Sequence, residues 1–217
     1  MVKKKKNRLE RLLAKIEREY NIPLNEGNYQ TRILEALESP PPLLDYFREY
    51  MKGDQITLEW GCLILLFIKA NAERDVSDME RYYRFLKNYP ANYLTEFTMA
   101  DLELKYYGNL FKARDKLFKA LELKPNDANC YYSLGLIYNL LGTFCKSIEH
   151  YENAVLHSQS SNTPAELKAR SLYNIAAMKI NLGQNFRDAE RLLKEALKEM
   201  PDYDLARQAL RTIRWER

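Results

Sequence analysis

Residues Tyr131 to Ala154 read YYSLGLIYNLLGTFCKSIEHYENA, and this stretch most constrains what the chain can fold into. Leu134-Gly135, Tyr138, Gly142, Phe144, Ser147, Tyr151 and Ala154 fall at offsets that fit two antiparallel helices joined by a tight turn. The small residues stand where the helices must approach closely, and Gly142 stands where the chain reverses. Composition points the same way. Only 7 Gly and 8 Pro occur among 217 residues rich in Leu, Ala, Glu, Lys and Tyr, which predicts an all-α chain with few sharp turns.

The pattern recurs at a period of 34. Counting back from Pro125, residues 94–127 place Ala100, Asp101 and Leu104 on a first helix, Gly108 at the turn, and Ala113, Leu117 and Ala120 on a second helix. Asp101 occupies a small-residue position and predicts either looser packing or a polar contact there. Residues 128–161 form the central repeat, with Gln159 where a terminal proline would stand, so its second helix is expected to run on towards Ser158. Thr163-Pro164-Ala165-Glu166 then reads as a capping box with proline at the first helical position. The helix it opens should continue to Leu182, because Gly142 and Gly183 are 41 residues apart and not 34. Phe186, Ala189, Leu193, Ala196 and Pro201 complete that repeat.

These spacings resemble the tetratricopeptide repeat. The resemblance is good over residues 94–201 and weaker before them. Residues 59–92 are expected to be a degenerate repeat, with the terminal Pro90 but no Leu-Gly pair and no turn glycine. The fold implied is a right-handed α-solenoid of helical hairpins. Its parts are an N-terminal helical extension over 1–56, a solenoid over 57–217 with repeats 94–127, 128–161 and 169–202, and a capping helix at 203–217.

The flanks are read from periodicity. Leu9, Leu12, Leu13, Ile16 and Tyr20 form one apolar stripe on a helix preceded by Lys3 to Lys6. Packing of that stripe on the body competes with a partner or membrane-surface contact and with nucleic-acid contact through the lysines. Asn21 to Asn28 should be a loop, Tyr29 to Leu37 a short helix, and Leu43 to Met51 another, begun after the stop at Pro40-Pro41-Pro42. Leu58 to Ala72 is apolar on almost every side and should be buried. Asp75 to Asn88 is amphipathic through Val76, Met79, Tyr82, Tyr83 and Leu86. The last helix sets Leu205, Ala209, Leu210 and Ile213 on one side against Arg207, Arg211, Arg214 and Arg217 on the other.

Chemistry is sparse. The two histidines, His150 and His157, have no Cys or carboxylate partner at metal-ligand spacing. No phosphate-binding glycine loop, nucleophile elbow or metalloprotease helix is present, so the expectation is a non-enzyme without cofactor or metal. The net charge of +4 is modest, which argues against a nucleic-acid function for the whole chain. Cys62, Cys130 and Cys145 form no CxxC pair, no secretory leader is legible, and Trp60 to Ile68 is too short to span a bilayer. A cytoplasmic protein is expected.

The family resemblance implies a ligand site. In that family the second, fifth, ninth and twelfth positions of each first helix line the concave groove. Here they are Thr95, Thr98, Leu102 and Lys105; Asn129, Tyr132, Leu136 and Asn139; and Arg170, Tyr173, Ala177 and Ile180. The resemblance therefore implies a protein-binding adaptor or scaffold, with an extended peptide or a helix in the groove, unless the chain's own N-terminal helices fill it. Members that clamp the carboxylate tails of chaperones use Lys, Asn and Arg at fifth and ninth positions. Thr98, Leu102, Tyr132 and Leu136 supply none, and only Asn174 is compatible, so no chaperone-tail binding is expected. Nucleic-acid association through the basic arm and self-assembly of terminal repeats are the alternatives.

Overall fold

The computed structural model describes residues 2–21, 58–183 and 186–215, and every regular element among them is helical. The expected helices at Tyr29 to Leu37 and Leu43 to Met51, the triple proline and the loop after Asn21 lie outside the described residues. The chain divides into two compact units, residues 1–98 and 99–217.

The first unit holds helices α1 (Val2–Tyr20), α2 (Leu58–Glu73) and α3 (Val76–Leu86), and the beginning of α4 (Tyr93–Lys105). Every residue from Trp60 to Phe67 is buried, as expected for a helix with neighbours on several sides. The amphipathic α3 turns Met79, Tyr82, Tyr83 and Leu86 inward. Between them the chain reverses at Arg74, whose φ of 57° takes the left-handed conformation that glycine would adopt at less cost. Asp75 then caps α3, its side chain accepting from the Asp78 backbone N–H.

α1 packs on α2 through the stripe seen in the sequence. Ile16 and Leu13 are buried, each such side chain contributing roughly 1.5–3 kcal/mol. Polar contacts fix the register. The Tyr20 hydroxyl donates to the Leu65 carbonyl at 2.7 Å, and the Lys69 ammonium donates to the Glu19 carbonyl at 2.7 Å. Lys15 pairs with Asp78 at 3.1 Å and also donates to Tyr82. Lys15, Glu19, Lys69, Asp78 and Tyr82 line a cavity of about 220 Å³.

In the second unit α5 (Leu110–Leu123), α6 (Ala128–Leu140), α7 (Phe144–Leu156), α8 (Pro164–Asn181), α9 (Phe186–Glu199) and α10 (Asp204–Trp215) run alternately up and down, each packed on the next in sequence. The small residues named from the sequence are where the nesting requires them. Ala113, Ala120, Ser147, Ala154, Ala189 and Ala196 are all fully buried. Gly135 shows the tolerance, because a Cβ there would stand 2.7 Å from the ring of the buried Tyr151. The Ser147 hydroxyl donates to the Gly135 carbonyl at 2.6 Å and closes the same crossing. Asp101, at a small-residue position, makes the polar contact that was one of the two expectations, pairing with Lys105 at 2.7 Å.

Three local readings are corrected. α7 stops at Leu156 and a 3-10 turn, Ser158–Ser160, follows, pinned by the Ser160 hydroxyl between the Asn126 carbonyl and the Ala128 N–H. Thr163 precedes α8 with Pro164 at its first turn, but its side chain makes no cap hydrogen bond, so the capping box is not formed. On α10 the buried residues are Ala206 and Ile213, with Ala209 and Leu210 partly buried, whereas Leu205 is 49% exposed. Ala206, Ala209, Leu210 and Ile213 follow spacings of three, one and three, which turn Leu205 off that face. α10 thereby packs on α9, with Ala206 and Ile213 in the same core cluster as Ala189, Leu192, Leu193 and Ala196.

Candidate functional site

α6 and α8 are the first helices of consecutive hairpins and touch one another, as do α8 and α10. Offsets of three, four and three place Asn129, Tyr132, Leu136 and Asn139 along one side of α6, and Arg170, Tyr173, Ala177 and Ile180 along one side of α8. All but Arg170 are half-buried, and Arg170 is exposed. Where these rows meet, Asn129, Tyr132, Thr163, Glu166, Leu167 and Arg170 line an open cavity of about 160 Å³.

Tyr132 lines it, and further rings pack near that tyrosine. Tyr132 meets the buried Tyr151 edge to face at 5.5 Å, and Tyr173 meets Tyr203 in the same way at 5.2 Å. Such pairs fix ring orientation, and Tyr132, Tyr173 and Tyr203 are half-buried. Burial pushes the Tyr203 hydroxyl up to about 12, with Tyr132 and Tyr173 acting in the same direction and Arg170 against it. Burial also raises Tyr151, assisted by Tyr132, while a hydrogen bond with Asn174 opposes the rise. Both phenols therefore remain neutral hydrogen-bonding groups at physiological pH.

The polar groups are held but replaceable. Asn129 accepts from the Ser161 hydroxyl at 3.2 Å. Arg170 pairs with Glu166 one turn away at 2.6 Å, each side chain about half exposed, and such a surface pair contributes under about 1 kcal/mol. A ligand carboxylate or backbone carbonyl can therefore compete for the guanidinium at little cost.

The other expected positions are placed differently. Thr98 belongs to the first unit and is only 8% exposed, and Thr95 is buried as well. Leu102 in the second unit is equally buried, while Lys105 is exposed and engaged by Asp101. Sequence reasoning missed Tyr203, Thr163, Glu166 and Leu167. The last three sit on or before the added first turn of α8, ahead of the repeat start assigned at residue 169. The signal was the 41-residue glycine spacing, whose extra residues lengthen α8 to 18 residues against 13 in α6 and lengthen the loop before it. Tyr203 lies between α9 and α10, where the chain was read only as a cap.

Across the central hairpin, Tyr131 and Tyr138 of α6 interleave with His150 of α7 and with His157 just beyond its end. Tyr138 stacks on His150 at 5.0 Å and 7°, and Tyr131 lies 6.2 Å from His150 and 5.7 Å from His157. Phe118 meets His150 edge-on at 6.3 Å. This column is packing and not coordination: among the described residues no group of three or more His, Cys, Asp or Glu could hold a metal ion. Burial holds the His150 imidazole below its usual value, and its Nδ1 is buried without a hydrogen-bond partner.

Stacked hairpins of this kind define an all-α helical-repeat fold. Solved structures bear this out. The chain is similar to YrrB, described as a TPR protein with an unusual peptide-binding site, at 16% identity and a TM-score of 0.52, covering 93% of this chain and 98% of that one. It is similar to MamA at 19% identity and a TM-score of 0.57, covering 68% and 82%. It is also similar to the N-terminal domain of stress-induced protein-1 from C. elegans, at 18% identity and 0.50, covering 56% and 94%. No family model matches the sequence, and no curated protein matches it. The fold is the all-α tetratricopeptide-repeat solenoid.

Proposed function

We propose that the protein is a non-catalytic adaptor or scaffold that holds a peptide or helix of a partner protein along the first-helix face of its second unit. The observation that carries this reading is the juxtaposition of Tyr132, Tyr173 and Tyr203 with Asn129, Asn174 and Arg170 beside an open cavity. Aromatic rings offer large contact area at low entropic cost, and the amide and guanidinium groups meet a peptide backbone or an acidic side chain. The likeness to YrrB, whose description names a peptide-binding site, supports the same use of the fold. A chaperone-type terminal carboxylate is not the ligand, because Leu136 and Tyr132 stand where cations are needed.

Cys62, Cys130 and Cys145 are joined in no disulfide, which suits a reducing compartment, and none of the described helices is long and apolar enough to cross a membrane. We place the protein in the cytoplasm on that basis. The basic alternative, an arginine face on α10 for phosphate, is weakened because Arg207 is taken up by Asp202, Asp204 and the Pro201 carbonyl.

Affinity capture from native extract with wild type and a Tyr132→Ala, Tyr173→Ala double variant tests the reading. The partner set should fall by roughly tenfold or more, the loss expected when central aromatic anchors are truncated. An unchanged partner set with a variant that melts like wild type would overturn it.

A further inference from the structure

The alternation of α5 to α10 brings the three hairpin turns of the second unit to one edge. The start of α5, the α6–α7 turn and the α8–α9 turn all lie there, while the loops joining successive hairpins lie at the opposite edge. The two edges differ in chemistry. At the turn edge Tyr106, Phe111, Leu140, Phe144, Leu182 and Phe186 are 36–67% exposed, two from each turn. The segments 105–114, 139–148 and 179–187 contain six Lys or Arg and no Asp or Glu. Lys105, Arg114 and Lys179 pair with Asp101, Asp115 and Asp188 just outside these segments, and Lys112, Lys146 and Arg187 are exposed, as is Lys105. The opposite edge, segments 124–127, 157–166 and 200–204, has Asp127, Glu166, Asp202 and Asp204 against Lys124 alone.

A row of exposed aromatic and aliphatic side chains interleaved with cations is costly in water and fits one kind of surface well. At a lipid headgroup boundary the rings and leucines enter the acyl margin while Lys and Arg remain among anionic headgroups. A second copy presenting the same edge would oppose like charges. A nucleic acid would engage the cations and rings but leave Leu140 and Leu182 without a partner. We propose that the turn edge of the second unit is a peripheral docking surface for an anionic lipid membrane. It lies at the ends of the helices and leaves the first-helix face open, so the peptide site and the membrane site are separable.

The test is sedimentation of the full chain with phosphatidylcholine vesicles, with and without phosphatidylserine, at low and high salt. Wild type binds the phosphatidylserine vesicles and is released by salt. Two edge variants each lose roughly tenfold or more of that partitioning: Phe111→Ser, Phe144→Ser, Phe186→Ser, and the charge reversal Lys112→Glu, Lys146→Glu, Arg187→Glu. The second variant changes only exposed cations and keeps the test valid if the first folds poorly. Glutamine at Lys3 to Lys6 should leave most of the binding in place. Absence of wild-type sedimentation, sedimentation of the charge-reversed variant at the wild-type level, or loss confined to the Lys3 to Lys6 variant would each overturn the proposal. So would labelled single-stranded DNA binding through Lys112, Lys146 and Arg187 in preference to vesicles.

Discussion

The hairpins α2–α3 and α6–α7 reverse direction with nearly the same backbone geometry, Arg74 at φ 57° in one and Gly142 at φ 71° in the other. Their interiors are built differently. α2 brings large residues, with Leu63, Ile64, Leu65, Leu66 and Phe67 almost wholly buried, and the contact with α1 is completed by ion pairs and hydrogen bonds. α6–α7 is built on small residues, with Gly135 against Tyr151 and Ser147 bonded to the Gly135 carbonyl. One solution depends on filling volume and the other on leaving none. They should therefore fail under opposite substitutions.

The largest expected effect is from removing volume in the first unit. Phe67→Ala should cost about 3–5 kcal/mol, measured by denaturant unfolding, because a fully buried ring leaves both lost transfer energy and a cavity. The complementary change in the second unit adds volume. Gly135→Val should cost about 2–3 kcal/mol by overpacking against Tyr151, although replacing glycine within a helix would otherwise favour it. Neutral behaviour of Gly135→Val would show that the α6–α7 crossing is looser than its geometry indicates.

A smaller effect separates the units by pH. Burial lowers the His150 pKa, so the uncharged imidazole's contribution is fully present above its unfolded value of about 6.5 and is lost as pH falls through the lower folded value. In the first unit burial acts upward on Asp78, but the hydrogen bonds from Lys15 and Tyr82 and the charges of Lys15 and Arg81 outweigh it. Its contribution is present above the ordinary carboxylate value of about 4 and is lost only as pH falls through the depressed one. Hydrogen exchange between pH 7.5 and 5 should therefore reveal loosening first in α6 and α7, and His150→Phe should flatten that dependence. Earlier loosening in α1–α3 would reverse the assignment.

The same contrast explains what could be read from residues alone. The second unit's packing is local: a glycine or alanine at a fixed offset announces a close approach within one hairpin, so Ala113, Ala120, Ser147 and Ala154 were all legible. The first unit's packing joins residues about 45 to 67 apart, such as Tyr20 with Leu65 and Lys15 with Tyr82, and no spacing rule couples them. The break between Ala72 and Asp75 was legible from the two apolar patterns, but the positive φ of Arg74 was not, because nothing about arginine signals it. In the candidate site, the rows on α6 and α8 followed from the family resemblance, which names the positions of each first helix that line the groove. Tyr203 and the added turn of α8 came into view only when the third dimension brought them beside Tyr173 and Asn129.

The claim that the first-helix face of the second unit receives a polypeptide is tested most directly by photo-crosslinking. A peptide selected from a random library against the full chain, carrying a photoreactive residue, should crosslink to Tyr132, Tyr173 and Tyr203. Crosslinks confined to Phe118, Tyr131 and His157 on the second-helix side would contradict the account.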